Sequence, residues 1–340
     1  MRWEFLYITF VLLLGCKPEK SQTTDLEVNT LYTLLLPTGF TPPDIPADNQ
    51  LTEERVALGK LLFHDTRLSI DNSISCASCH LQSLAFADEV PFSFGINNAE
   101  GLRNAPSLAN VAWQERLFAD GGVPNLEMQV IAPLHDPVEM GHHIPDIVAQ
   151  LKQDPTIQHM SQLAYGREFD TFVITRAIAT FERTIISGQS RYDQYLYQGN
   201  EAALSQAEKN GMDLFFSEQT QCGNCHSGFM LSDMTFQNIG LYDEYEDIGR
   251  ERISLDPMDN GKFKVPSLRN VGLTAPYMHD GSLETLEEVV LHFENGGVGH
   301  PNQSELIAPF ELTEIERQDL IAFLNSLTDE TLLSNSAYAP

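Results

Sequence analysis

The sequence predicts a mainly α-helical fold in two domains, and three observations carry that prediction. Apolar residues recur at helical spacing over most of the chain, while few segments alternate as strands do. The pentapeptide Cys-x-x-Cys-His occurs twice, as Cys76-Ala77-Ser78-Cys79-His80 and as Cys222-Gly223-Asn224-Cys225-His226. Each copy follows a stretch of the same character, 51–63 and 204–216, polar at its start and apolar at its end, which reads as an internal duplication.

Two thiols three positions apart can add across the two vinyl groups of one haem, and the adjoining histidine then lies under the iron. The expected fold is therefore two c-type cytochrome-like helical domains, each around one covalently bound haem c. A zinc site would place its Cys pairs about 15 to 20 residues apart, and these lie far beyond that. A thioredoxin-like redox pair needs no histidine after its second thiol.

From the N-terminus, Arg2 and the apolar run 5–14 form a short export signal, and Leu13-Leu14-Gly15-Cys16 has the form of a bacterial lipobox. Residues 1–15 are expected to be removed, leaving a lipid on Cys16 as the only attachment to the membrane. Residues 16–49, polar and threaded with prolines, read as a tether. The first haem domain is expected over 50–190, the second over 191–330 and a tail over 331–340. Helices are expected at 51–63, 171–186, 204–216, 285–293 and 313–327, with 191–200 crossing between domains. Ser205 with Glu208, and Thr313 with Glu316, have the spacing of capping boxes.

Acidic residues number 48 against 20 basic ones, for a net charge of −28. That excludes nucleic acid, which demands a basic footprint, and disfavours adhesion to anionic lipid. It suits steering of a small basic protein towards a haem edge.

Around the two motifs the chain resembles the bacterial di-haem cytochrome c peroxidases and their MauG-type relatives. The resemblance rests on residues 59–69, Arg103-Asn104-Ala105-Pro106, Asp120-Gly121, Pro137-Val138-Glu139-Met140-Gly141, residues 265–271 and Thr274-Ala275-Pro276-Tyr277-Met278-His279-Asp280-Gly281. It implies that the N-terminal haem meets peroxide and the C-terminal haem takes electrons. It implies Glu139 as the acid–base residue over the first iron and Gln129 as a hydrogen-bonding partner of peroxide. A burial-raised carboxyl suits the first task, since one proton must be taken from peroxide and returned. The resemblance also implies one calcium ion held by Asn104, with Thr274 and Pro276 giving carbonyls. His135, His142 and His143 match no ligand position.

Three departures from the pattern stand out. Many relatives carry, ahead of Arg103, a histidine that caps the first iron; here the position is Ile96, so that iron is expected to be five-coordinate even when oxidised. The sixth ligand of the second haem is Met or Tyr in the family, and the matching Phe293 has no lone pair, which leaves His292, His300 or Met278. A tryptophan relay between the haems is replaced by Ala119 beside Phe118.

The expected enzyme is a cytochrome c peroxidase that reduces hydrogen peroxide to water with electrons from a small c-type cytochrome or cupredoxin. It is expected in the bacterial cell envelope, lipid-anchored in the periplasm, with a homodimer left open. Two other readings stand beside it: a MauG-like enzyme that oxidises residues of a partner protein, and a non-catalytic electron-transfer cytochrome, for which Glu139 and Gln129 would be superfluous.

Overall fold

The computed structural model describes residues 29–340, so the export signal and Cys16 lie outside the described residues. Thr52 starts the first helix, Glu53–Phe63, by accepting the Arg55 amide, and Glu53 and Glu54 occupy the first turn, where the helix dipole favours negative charge. Leu58, Gly59, Leu62 and Phe63 are its buried positions. At Gly59 it crosses the helix Thr171–Glu182 so closely that a Cβ would fall 1.9 Å from the Ala177 carbonyl oxygen.

The second half repeats this device. The expected capping box of Ser205 and Glu208 opens the helix Gln206–Phe215, and that of Thr313 and Glu316 opens Glu314–Asn325. These two cross at Gly211, where a Cβ would fall 1.9 Å from the Asp319 carbonyl oxygen. The duplication read from the motif contexts is thus a repeated packing solution, a helix pair closed at a glycine. The helix Thr171–Glu182 stops short of the expected 186 because the chain there bonds to a loop of the first half: Asn110 and Ser187 exchange hydrogen bonds of 2.8 and 2.9 Å.

Two large buried cores result, with a small third cluster of Val111, Leu117, Leu126 and Ala179. The first gathers Leu58, Phe63, Ile147, Ile157, Val173 and Phe181, with the helices Ile144–Leu151 and Pro155–Tyr165 supplying part of it. The second gathers Tyr192, Phe215, Leu286, Val290, Leu320 and Phe323. The only strands among the described residues are Phe236–Gln237 and Phe263–Lys264, paired antiparallel. No helix among them is long and apolar enough to cross a membrane.

Two expectations need correction. Residues 29–49, read as part of a tether, are packed on the body: Phe40 lies against Trp113 and Phe229 with ring centroids 5.6 and 4.7 Å away. Asn49 is fully buried and donates to Glu127 at 2.7 Å and to the Arg176 carbonyl at 3.0 Å. Buried polar groups of this kind require partners, and polar composition alone concealed that these had them. Residues 331–340, read as a tail, return to the first core, where Leu332 and Tyr338 are buried. The Tyr338 hydroxyl donates to the Thr184 carbonyl at 2.7 Å.

The halves are clamped by charge. Arg103 binds Asp120 at 2.7 Å within its own half and Asp247 of the other at 2.6 Å. Asp120 is fully buried and also receives Arg252, while Arg250 donates to the Asp120 carbonyl at 2.8 Å. Lys264 is bonded to Gln114 and to the Arg116 carbonyl, and burial lowers its ammonium pKa to about 8.

Candidate active site

One cavity of about 1470 Å³ reaches into both halves, and both Cys–Cys–His sets line it. In the first half the motif begins as a short helical turn, Cys76–Cys79, behind Ser75; in the second it is a 3₁₀ turn, Cys222–Asn224. His80 Nδ1 holds the Phe86 carbonyl at 2.9 Å, and His226 Nδ1 holds that of Leu231 at 3.0 Å. A carbonyl only accepts, so each Nδ1 carries the proton and each Nε2 keeps its lone pair. Burial lowers the pKa of both imidazoles, which favours the neutral, ligating form. None of the four motif cysteines is paired in a disulfide, and burial pushes each thiol above its ordinary value. Paired thiols, a preset imidazole and a large, mainly apolar space fit covalent haem in each half.

The distal groups of the first half come from two turns. Gln129 ends the short helix Leu126–Gln129, which Asn125 caps by accepting the Met128 amide at 3.0 Å. Its neighbour Glu127 turns the other way, into an ion pair with Arg183 at 2.7 Å. Glu139 sits on a turn organised by Asp136, whose carboxylate accepts the Val138 amide at 2.9 Å and whose carbonyl accepts that of Gly141 at 2.8 Å. Gly141 has φ +58°, and a Cβ there would meet the Ile96 side chain at 2.5 Å. Ile96 is thereby packed under the turn carrying Glu139, and its amide donates to the Glu139 carbonyl at 2.8 Å. Burial, and then the Asp136 charge, raise the Glu139 carboxyl to about 7. Glu139 and Gln129 both line the cavity.

The equivalent wall of the second half is different. Asp280-Gly281 repeats Asp120-Gly121, and the helix Leu286–Glu294 follows it as Leu126–Gln129 follows the first, with Leu286 and Leu126 buried at matching places. Val289 then stands where Gln129 stands, and Val289, Val290 and Phe293 present hydrocarbon to the cavity.

Of the three proposed sixth ligands, Met278 lines the cavity, at the position matching Phe118. His292 instead has Nε2 on the Ile239 carbonyl at 3.1 Å, and His300 has Nδ1 against the Asn302 amide at 3.0 Å. Neither histidine lines the cavity. His135 accepts the Ile144 amide at 3.1 Å and packs against His143, while His142 is buried with its Nδ1 unpartnered.

Asn104, Thr274 and Pro276 all line the cavity. The Asn104 amide group donates to the Val90 and Pro91 carbonyls at 3.1 and 3.3 Å, leaving its oxygen free for another partner. Oxygen donors alone suit a hard cation such as calcium. Among the described residues no cluster of three or more His, Cys, Asp or Glu is placed to hold a metal.

Sequence reading missed Glu182. It is 4% exposed, lines the cavity, has one oxygen without a partner, and is raised by burial to about 8. Its helical position beside Arg183 gave no signal. It missed as well the aromatic group Tyr245, Phe263 and His279 on the cavity wall. Aligning the two halves would have marked Phe263 and His279, which occupy the places of Arg103 and Ala119.

A family profile described as di-haem cytochrome c peroxidase matches residues 53–202. The methylamine utilization protein MauG of Methylorubrum extorquens is 38% identical over 84% of this chain and 81% of its own length. The cytochrome c551 peroxidase of Nitrosomonas europaea is 35% identical over 80% and 79%. A solved MauG-like protein associated with microbial copper homeostasis is 39% identical with a TM-score of 0.86, over 91% of this chain and 99% of that one.

Proposed function

This chain belongs to the di-haem cytochrome c peroxidase family, and on that premise we propose that its first half cleaves hydrogen peroxide while its second half feeds it electrons. The protein is an oxidoreductase acting on peroxide. The observation that supports the division of labour is the contrast between two equivalent walls: Glu139 and Gln129 in one, Val289, Val290 and Phe293 in the other. Proton transfer needs the first kind of wall; a relay needs only the second.

His80 and His226 would hold the two irons through Nε2, with Cys76, Cys79, Cys222 and Cys225 as covalent anchors. When bound, haem supplies the redox-active iron for breaking the O–O bond. Glu139 takes the proton from one peroxide oxygen and returns it to the other, which leaves as water. The Gln129 amide donates a hydrogen bond that holds peroxide in line. With two electrons and two protons delivered, one peroxide becomes two waters. A small c-type cytochrome or cupredoxin is the proposed donor, drawn by the acidic surface. Calcium at Asn104, Thr274 and Pro276 would fix one half against the other. Location in the periplasm, by a lipid on Cys16, completes the reading.

Peroxide consumption with reduced cytochrome c tests it. Glu139→Ala should lower turnover by about 10² to 10⁴, the usual worth of a positioned acid–base group. Unchanged turnover would overturn the assignment. A MauG-like role, oxidation of residues in a partner protein, is the second reading. It is favoured by Ile96 in place of a capping histidine, by Phe293 in place of a ligand, and by likeness to a MauG-like structure. Peroxide-driven modification of a co-purifying protein would distinguish it.

A further inference from the structure

On the cavity wall between the halves lies a group of rings that the peroxide chemistry above does not use. Phe263 and His279 are stacked, 3.9 Å between centroids and 18° between planes. Tyr245 lies 6.1 Å from His279, and Tyr242 lies 5.6 Å beyond Tyr245. Tyr245, Phe263 and His279 line the cavity; Tyr242 does not, and is partly exposed. The rings thus form a continuous path from the cavity towards solvent.

A phenol gives up an electron readily only when its proton has somewhere to go, and here the tyrosines differ. Tyr242 donates to the Asp280 carboxylate at 2.6 Å. Tyr245 donates to the Asn238 amide oxygen at 3.3 Å, and Tyr277 to the Val271 carbonyl at 2.9 Å, neither of which can take a proton. Trp113, whose indole donates to the Thr41 carbonyl at 2.8 Å, has no base either.

We propose that Tyr242 is a redox-active exit, whose electron passes inward through Tyr245 and the Phe263–His279 stack while its phenolic proton moves to Asp280. This rests on the reading that peroxide is cleaved in the cavity. Peroxide takes two electrons and two protons to give two waters. Without a donor protein, Tyr242 supplies one electron and the haem sites the other, leaving a neutral tyrosyl radical with its proton on Asp280. An oxidisable side chain of a docked protein then returns one electron to the ring, Asp280 gives the phenolic proton back, and the proton lost by the oxidised side chain goes to water. The exposed face at Tyr242 is accordingly where oxidising equivalents leave for a protein substrate.

Holoprotein mixed with excess peroxide and no reductant, then frozen within seconds for EPR, tests this. The expected result is a tyrosyl signal that falls at least tenfold in Tyr242→Phe and in Asp280→Asn and persists in Trp113→Phe. Peroxide consumption followed in the same samples separates the two layers of argument. Consumption without a protein radical, a signal that survives Tyr242→Phe, or one abolished by Trp113→Phe overturns the exit alone. Absence of any reaction with peroxide overturns the underlying reading and the exit with it.

Discussion

Replacing Glu139 by glutamine should make the protein more stable and less active, and the two effects should share one pH midpoint. Burial first, and the Asp136 charge second, move this carboxyl from an ordinary 4.5 to about 7. In the unfolded chain it ionises near the ordinary value. Between the two values the folded state holds a proton that the unfolded state has lost, so stability falls as pH rises through that window, and above about 7 the full penalty is present. At about 1.4 kcal/mol per pH unit the full shift would be worth about 3 kcal/mol, and because the Glu139 residue is exposed to cavity water, screening reduces the penalty to about 1 kcal/mol. Glutamine keeps the shape and removes the charge. Urea unfolding of the holoprotein, followed by circular dichroism, should show wild type and Glu139→Gln alike near pH 4, with the variant ahead by about 1 kcal/mol at pH 8. In stopped flow, the wild-type reaction with peroxide should rise with pH through about 7 as the carboxylate base appears. The variant should be slower by about 10² to 10⁴ and flat with pH. A variant whose lead over wild type is no larger at pH 8 than at pH 4, or one that keeps the wild-type pH midpoint in its reaction with peroxide, would refute the reasoning.

Asp120→Ala leaves Arg103 and Arg252 without their shared carboxylate and should cost about 3 to 5 kcal/mol in urea unfolding, the range for breaking a buried ion pair. Gly59→Ala and Gly211→Ala each force a methyl to within 1.9 Å of a facing carbonyl oxygen. Either should cost at least about 1 to 3 kcal/mol, read as a lowered urea midpoint, because backbone cannot yield as a side chain can. The oxidised holoprotein should give a high-spin ferric EPR signal from one haem as isolated, since Ile96 offers no ligand and is packed beneath the Glu139 turn. Two low-spin signals would contradict it.

Much of the site was legible because its chemistry is local. The two motifs, Ser205 with Glu208, and Thr313 with Glu316 each act over a few positions: the Cys and His of both motifs line the cavity, and both Ser/Thr–Glu pairs form capping boxes. What was hidden depends on partners distant in the chain. Gly59 reads as an ordinary helix glycine until Ala177 is brought against it. Glu182 reads as a polar residue beside an arginine until the fold buries it. The segment around Phe40 and Asn49 has a linker's composition, and only Trp113, Phe229 and Glu127 show what it covers. His292 and His300 looked equivalent to Met278 as ligands because sequence cannot say that Met278 lines the cavity while both histidines stand outside its lining.

The return of residues 332–338 to the first core reverses the order of synthesis and completion. His64 and Tyr338 meet at 2.9 Å, and Gln82 holds the Leu332 and Asn335 carbonyls at 2.9 Å each, so the half translated first cannot finish folding until the other has been made. In that interval the loop bearing Phe86, whose ring later lies 5.7 Å from that of Tyr338, lacks its cover. A bulky planar guest bound for Cys76 and Cys79 would thus find its host's door ajar until residues 332–338 latch it.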